Sequence, residues 1–271
     1  MTIHPKPTAS PTPSPIPNQA PLADRTTGAS GSEKPHKPAP FEQPKLRLEL
    51  RDITHPATSK FLNAVDITAI FPTAVSKVQR LLYQSPSDPS TNVPPTRSVT
   101  LVLRDMDGVA YTTGLDLDYD HKEIHFSLDY IDRISPPSRL AAEITGVLTH
   151  ELVHCYQWRA LGTCPGGLIE GIADWVRLNC DLSPPHWKRD LDGDWDRGYQ
   201  HTAYFLQYLE TRFGEGTVRR INEKLRLCEY EAKPFWTELL GRPVEQLYGD
   251  YTAAEGKGES QNHMVDDSTQ T

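Results

Sequence analysis

The sequence lacks the features that mark three large classes of protein. No run of about 18 apolar residues occurs in its 271 residues, so no membrane-spanning helix is expected. Lysine and arginine total 28 against 36 aspartate and glutamate residues, a formal net charge of −8, and no basic stripe is present. Nucleic-acid binders usually have the opposite balance, so no nucleic-acid partner is expected either. Four cysteines are too few for a disulfide scaffold in a chain of this length.

Both ends of the chain are poor in residues that can build a core. The first 40 residues contain 10 of the 24 prolines and no aromatic residue, a composition typical of disorder, and the last 20 residues are polar. The sequence therefore predicts a disordered Pro/Ser/Thr-rich tail at residues 1–43, one folded domain at 44–251 and a second disordered tail at 252–271. The chain does not start with a basic segment followed by an apolar stretch, so no signal peptide is predicted and a cytoplasmic location is the default expectation.

Hydrophobic patterning divides the domain into a strand-rich first part and a helical second part. Residues 45–52 alternate leucine with charged residues, which is typical of a half-buried strand. The other predicted strands are residues 97–104, 108–117 and 123–130, with turns at 107–108 and 118–121. Helices are predicted at residues 59–83, with a break at Phe71-Pro72, and at 138–160, 167–179, 197–213, 215–228 and 234–251. Strands followed by helices indicate an α+β fold rather than an alternating one.

The most informative motif is H-E-x-x-H at residues 150–154, inside a helical segment. The spacing of four residues places the imidazoles of His150 and His154 on one face of a helix, one turn apart, where both can bind one metal ion. Glu151 projects beside them and is placed to take a proton from a metal-bound water. The motif therefore predicts Zn²⁺ bound by His150 and His154, with Glu151 as the catalytic base.

A zinc site of this kind needs a third protein ligand, and Glu170, sixteen residues after His154, is the main candidate. The glycine-rich segment at residues 162–167 predicts a turn that lets a second helix fold back beside the first. Glu170 and Asp174 share one face of this helix. We therefore predict that Glu170 binds the metal and that Asp174 accepts a hydrogen bond from a ligand histidine. Asp174 as the third ligand in place of Glu170 stays open.

These residues resemble those of known peptidases. The H-E-x-x-H motif followed by a helix with Glu170, Gly171 and Asp174 looks like the glutamate-zincin peptidases, the group of thermolysin and the zinc aminopeptidases. Within that group, HCYQW at residues 154–158 and PGGLIEGIADWVRL at 165–178 resemble the plant basic secretory protein family, which also occurs in fungi and bacteria. The resemblance spans about residues 45–250 and implies a zincin-like domain, with a mixed or antiparallel sheet over an active-site helix. The net charge of −8 departs from the family's "basic" name.

Peptide hydrolysis at zinc also requires a group that stabilises the negative charge on the carbonyl oxygen. Residues 194–210 contain several tyrosine, histidine and arginine side chains that are able to donate a hydrogen bond. By resemblance, Tyr199, directly after Gly198, matches the tyrosine that aminopeptidases and basic secretory proteins have at a helix start. We therefore predict Tyr199 as the donor, with His201 as the alternative.

The combined prediction is a monomeric zinc peptidase that acts on a peptide or protein substrate. No G-x-M-E-N segment, which aminopeptidases use to hold a substrate amino terminus, is present, and this favours an endopeptidase. An extended substrate is expected to pair with an edge strand at residues 123–130. The alternative is a non-catalytic zinc-binding or partner-binding module on the same scaffold, with the segment PTPSPIP docking to a partner in a polyproline conformation.

Overall fold

The structure, a computed structural model, describes the backbone of residues 40–266 and the side chains of residues 40–256. Within this part of the chain the strands are β1 (Lys45–Leu50), β2 (Ser98–Arg104), β3 (Ala110–Leu115) and β4 (Asp118–Ser127). The helices are α1 (Pro56–Ala64), α2 (Ile67–Tyr83), α3 (Leu128–Arg133), α4 (Leu140–Tyr156), α5 (Gly166–Leu178), α6 (Tyr199–Phe213), α7 (Thr217–Leu227), α8 (Ala232–Leu240) and α9 (Val244–Asp266). Most of the predicted N-terminal tail, residues 1–39, lies outside the described residues, as do residues 267–271.

The four strands form one mixed sheet in the order β1-β2-β4-β3. β1 pairs in parallel with β2, β2 pairs in parallel with β4, and β3 and β4 form an antiparallel hairpin. The leucines of β1 alternate with exposed charged residues and pack against the core from one face, as the period-two pattern predicts. The sheet in the first half and the helices in the second half confirm the predicted α+β fold.

Helix α4 connects the sheet to the helical half of the molecule. It contacts β3 and β4, and it also packs against α2 and α5. Its apolar residues Ile144, Leu148 and Leu152 are fully buried, and each contributes roughly 1.5–3 kcal/mol to folding by leaving water. Because α4 is buried around most of its circumference, its polar side chains are held in fixed positions.

The break in the first helical segment lies at residues 65–66, and the predicted break at Phe71-Pro72 is wrong. Asp66 begins α2 by accepting a hydrogen bond from the amide of Thr68, so the cap decides the boundary. Pro72 lies inside α2, where its missing N–H removes one hydrogen bond, and burial of the helix face that carries Phe71 offsets the loss. Among the described residues no single helix is long and apolar enough to cross a membrane. The pair α1 and α2, bent by 69°, meets that test by length and composition only.

Strand β4 differs from the prediction at both ends. It begins at Asp118, so the chain reverses at residues 116–117 and the predicted turn at 118–121 belongs to the strand. It ends at Ser127, whose hydroxyl accepts a hydrogen bond from the amide of Tyr130 and caps α3. The parallel pairing of β4 with β2 places β4 inside the sheet and β3 at its edge. The prediction that residues 123–130 form the substrate-binding edge is therefore wrong.

Helix α9 runs from Val244 to Asp266, past the predicted end of the domain at residue 251. The segment after Tyr251 contains two alanines and a glutamate, which favour helix, and it continues a helix already formed against the core. Residues 252–266 are therefore helical, although the sequence analysis assigns them to a disordered tail.

Candidate active site

Helices α4 and α5 lie side by side and bring three possible metal ligands together. His150 and His154, one turn apart on α4, have their Nε2 atoms 3.2 Å apart. Glu170 of α5 places Oε2 3.0 Å from Nε2 of His150 and 3.6 Å from Nε2 of His154. Within the described part of the chain, these three residues are the one group of His, Cys, Asp or Glu whose donor atoms all lie within 4.8 Å of one another. We call them the donor cluster.

Close packing of α5 on the chain around α6 fixes the position of Glu170. A Cβ atom on Gly167 would lie 1.6 Å from the carbonyl oxygen of Asp196, and one on Gly171 would lie 2.3 Å from Cγ2 of Thr202. A larger residue at either position would push α5 away from its neighbours. The glycines on both sides of Glu170 therefore allow the close approach that places its carboxylate at the histidines.

At its Nδ1 atom, each histidine of the donor cluster contacts a buried polar side chain. Nδ1 of His150 donates a hydrogen bond to Oδ1 of Asp174 at 2.7 Å, and Asp174 is only 3% exposed. Nδ1 of His154 lies 2.7 Å from Nε2 of Gln157. Asp174 thus contacts the far side of the His150 ring, away from the donor cluster. Glu170, and not Asp174, has a carboxylate oxygen next to the Nε2 atoms of both histidines.

The carboxylates around His150 hold a proton on it. Burial alone lowers the pKa of His150, but hydrogen bonds to Asp174 and Glu170 act in the opposite direction, and the net result raises this pKa to about 10. Burial raises the pKa of Glu170, but hydrogen bonds to both histidines outweigh it and hold the pKa well below its usual range. Positive charge is therefore favoured at the point where the three donor atoms converge.

Glu151, next to His150 on α4, is buried and lines the same cavity as the donor cluster. Its Oε2 atom accepts a hydrogen bond at 2.7 Å from the hydroxyl of Thr112 on β3, which also lies 2.9 Å from the Glu151 carbonyl oxygen. This contact between the edge strand and α4 fixes the direction of the Glu151 carboxylate. Thr112 is not among the site residues predicted from the sequence.

The two candidate oxyanion donors lie in different environments. Tyr199, the first residue of α6, is 56% exposed, and its ring lies 6.1 Å from that of His150 at an angle of 14°. The charge of Glu170 and partial burial raise the pKa of Tyr199, so the phenol keeps its proton. His201 is buried, and its Nε2 atom contacts the Asp194 carbonyl and the Tyr248 hydroxyl. Of the two, only Tyr199 lies beside the donor cluster.

The donor cluster opens into a cavity of about 540 Å³ between β3, α4, α5 and the start of α6. Glu151, Asp174 and Tyr199 also line it. The lining residues that the sequence analysis did not predict are Val109, Ala110, Tyr111, Thr112, Tyr130, Glu143, Val147, Arg159, Arg177, Pro184, His186, Trp187 and Gln200. Three charged side chains, those of Glu143, Arg159 and Arg177, and several aromatic rings therefore extend the site beyond the donor cluster.

Comparison with known proteins identifies the family. A family model described as BSP, peptidase of plants and bacteria, matches residues 43–251. The chain belongs to this family. The matched residues include the donor cluster and the whole lining of the cavity, the resemblance to basic secretory proteins is confirmed, and the description supports a peptidase-like role. Comparisons with curated proteins and with solved structures gave no match.

Some of the unpredicted residues of this BSP-family site carry a signal in the sequence. Glu143 precedes His150 by two helical turns on the same face of α4, and Arg177 follows Glu170 by two turns on α5. Gln157 follows His154 by three residues at the end of α4. Thr112 and Trp187 come from distant segments, and no local spacing points to them.

Proposed function

We propose that this BSP-family protein is a zinc-dependent endopeptidase in which His150, His154 and Glu170 hold the metal. The observation that carries the proposal is the donor cluster, in which two imidazole nitrogens and one carboxylate oxygen converge. Three such protein ligands with one position left for water or substrate are typical of catalytic zinc sites. The cluster also lies in a cavity of a size that can hold several residues of a peptide.

The polar atoms behind the histidines fit this metal. Asp174 accepts the Nδ1 hydrogen of His150, which leaves Nε2 free for a metal ion. At His154, the Oε1 atom of Gln157 is buried and has no partner, while Nε2 of Gln157 faces Nδ1. A 180° rotation of the Gln157 amide gives Oε1 the Nδ1 hydrogen of His154 and frees Nε2 of that histidine as well.

Glu151 and Tyr199 are the groups of the chain that perform the reaction in this proposal. Bound zinc would supply a water of lowered pKa and polarise the substrate carbonyl. Glu151, oriented by Thr112, accepts a proton from the attacking water and then delivers it to the leaving amine. Tyr199 donates a hydrogen bond to the carbonyl oxygen as negative charge develops there, and its raised pKa keeps the phenol protonated for this role.

Strand β3 is the edge that fits an extended substrate. It lies at the end of the sheet, and its residues 110–112 line the cavity beside Glu151. A peptide that adds to this edge gains main-chain hydrogen bonds and crosses the donor cluster. In this proposal the substrate therefore pairs with β3, and not with residues 123–130 as predicted from the sequence.

The test compares wild type with Glu151→Gln, which keeps the shape of the side chain and removes its basicity. With a denatured protein as substrate, we expect cleavage to fall by about 10²–10⁴-fold while zinc content stays at one per chain. Tyr199→Phe should lower kcat by about 10²-fold, also with zinc retained. Full activity in zinc-loaded Glu151→Gln would contradict the mechanism. Stoichiometric zinc without cleavage in wild type would favour the non-catalytic module instead.

A further inference from the structure

A second charged cluster lines the same cavity, away from the donor cluster. Arg177 of α5 and Glu143 of α4 form an ion pair, with Nη2 and Oε1 3.0 Å apart, and the Tyr130 hydroxyl donates to the same Oε1 at 2.9 Å. Arg177 is 7% exposed and Glu143 is 9% exposed. We call these two charged residues the Glu143–Arg177 pair. It has no part in the mechanism described above.

The guanidinium of this pair is fixed by its surroundings. Nε of Arg177 donates a hydrogen bond to the Leu182 carbonyl at 3.0 Å, and Cζ lies 5.4 Å from the ring centre of Trp187. A Cβ atom on Gly146 would lie 2.6 Å from Nε of Arg177, so the absence of a side chain there lets the guanidinium lie against α4. The Glu143–Arg177 pair is therefore a preformed wall of the cavity.

The pair leaves one donor and one acceptor without a partner. Nη1 of Arg177 and Oε2 of Glu143 make no hydrogen bond with any described residue. Both atoms are accessible to solvent, and both residues line the cavity. Unused hydrogen-bonding capacity on a buried ion pair is costly unless water or a ligand satisfies it.

We propose that the Glu143–Arg177 pair forms a subsite for a carboxamide side chain, that of glutamine or asparagine, in a peptide substrate. The inference rests on the proposed peptidase function. A carboxamide accepts a hydrogen bond from Nη1 of Arg177 and donates one to Oε2 of Glu143 at the same time. Glu143 would repel a carboxylate, Arg177 would repel an ammonium group, and an apolar side chain would leave both polar atoms unpaired.

The distance from the donor cluster suits one bound peptide. Glu143 precedes His150 by seven residues on α4, which is about 10 Å along the helix. An extended peptide advances by about 3.3 Å per residue. The selected side chain therefore belongs to a residue about three positions from the bond that is cut.

Peptide binding without turnover tests this subsite. The full chain is treated with a chelator so that no peptide is cleaved, and capped six-residue alanine peptides carry a single Gln, Glu, Lys or Leu. Calorimetry gives their dissociation constants. We expect the Gln peptide to bind about tenfold more tightly than the other three, since a site built around a donor and an acceptor discriminates against groups that lack either.

The matched control is the double variant Glu143→Met/Arg177→Met, which keeps the volume of the pair and removes its polar atoms. A buried ion pair replaced in this way often leaves stability unchanged or improved, and circular dichroism checks the fold. We expect the preference to change from Gln to Leu.

Three results would overturn the inference. They are equal dissociation constants for all four peptides in wild type, no binding of any peptide, or a Gln preference that survives in the double variant. The wild-type series decides alone if the double variant does not fold. Failure of the peptidase function would appear separately, as Gln-selective binding without cleavage by the zinc-loaded chain.

Discussion

Two charged clusters lie in one cavity, two helical turns apart on the same pair of helices, and they differ in charge balance. At the Glu143–Arg177 pair, one carboxylate faces one guanidinium. At the donor cluster, Glu170 and Asp174 contact two histidines, and no lysine or arginine forms an ion pair with either carboxylate in the described part of the chain. The charges of the Glu143–Arg177 pair cancel each other, whereas the negative charge at the donor cluster is neutralised only by a proton or a bound cation.

This difference in charge balance determines what each cluster is suited to bind. In a buried ion pair with good geometry the two charges neutralise each other, so the pair interacts with ligands through hydrogen bonds. The carboxylates of half-buried Glu170 and buried Asp174 have no fixed cation beside them, and their hydrogen bonds to His150 raise the pKa of that histidine. The donor cluster is therefore suited to bind a metal ion, and the Glu143–Arg177 pair to recognise a neutral polar group.

The largest effect is expected from removing one donor. His154→Ala leaves two donors for the metal, so we expect zinc content to fall from one per chain to near zero and peptidase activity to be lost. Elemental analysis of the purified protein measures the zinc. His186→Ala is the control, because His186 lines the same cavity but does not belong to the donor cluster. Zinc retained in His154→Ala would show that the donor cluster does not hold the metal, and the contrast drawn between the two clusters would then be wrong.

The second effect concerns the balanced cluster. Arg177→Met leaves the carboxylate of Glu143 buried without its partner, and we expect the free energy of unfolding to fall by about 3–5 kcal/mol. The double variant with Glu143→Met should recover most of that loss. Urea denaturation of wild type, the single variant and the double variant measures both steps. If the single and double variants are equally unstable, the two charges do not balance each other in the way the structure indicates.

Sequence patterns indicate the unbalanced donor cluster but not the balanced Glu143–Arg177 pair, for a physical reason. His150, His154, Glu170 and Asp174 follow helical spacings within two consecutive helices, and their residue types point to a metal. Glu143 and Arg177 follow the same spacing, but a lone glutamate and a lone arginine on a helix usually face water, so nothing in the pattern indicates burial. Thr112 reaches Glu151 only because β4 pairs in parallel with β2 and leaves β3 at the edge.

The boundaries of strands and helices also depend on information that is not local in the sequence. Alternation predicts β1 almost residue for residue because all its information is local. The end of β4 depends on the Ser127 hydroxyl, which caps α3. The start of α2 depends on the Asp66 cap, whereas Pro72 predicts a break six residues later. A cap and a proline each change the stability of a helix end by only about 1 kcal/mol or a few, so tertiary packing decides where the helix begins. That packing cannot be inferred from the local sequence.

A smaller effect is expected at the residue behind His154. Gln157→Leu keeps the bulk of the side chain but removes the partner of Nδ1, so the ring of His154 loses its preferred orientation. We expect zinc affinity to fall by about 10–100-fold while one zinc per chain still binds at high metal concentration. Competition with a chromogenic chelator measures the affinity. Gln200→Leu serves as the control, because Gln200 lines the cavity but forms no hydrogen bond with His154 in the described part of the chain. An unchanged affinity in Gln157→Leu would show that Gln157 does not orient the ligand.

The last prediction uses pH to separate the two states of the donor cluster. The pKa of His150 is raised to about 10 in the metal-free chain, above the value of about 6.5 expected when the chain is unfolded. The stability from the protonated imidazolium is therefore fully present below about pH 6.5 and is lost as the pH rises toward 10. Zinc must displace this proton, so its affinity changes in the opposite direction and rises by about tenfold per pH unit over the same interval.

Both trends can be measured on one preparation. Chelator-treated protein should show a falling Tm between pH 7 and pH 9, whereas zinc titrations in buffers of different ionisation enthalpy should show the release of about one proton per zinc bound near pH 7. The Asp174→Asn variant weakens the hydrogen bond that raises the pKa of His150, so both trends should become shallower. Zinc uptake without proton release would mean that His150 is already neutral in the metal-free chain. The donor cluster would then hold its negative charge unbalanced, and the contrast with the Glu143–Arg177 pair would be greater than the hydrogen bonds around His150 indicate.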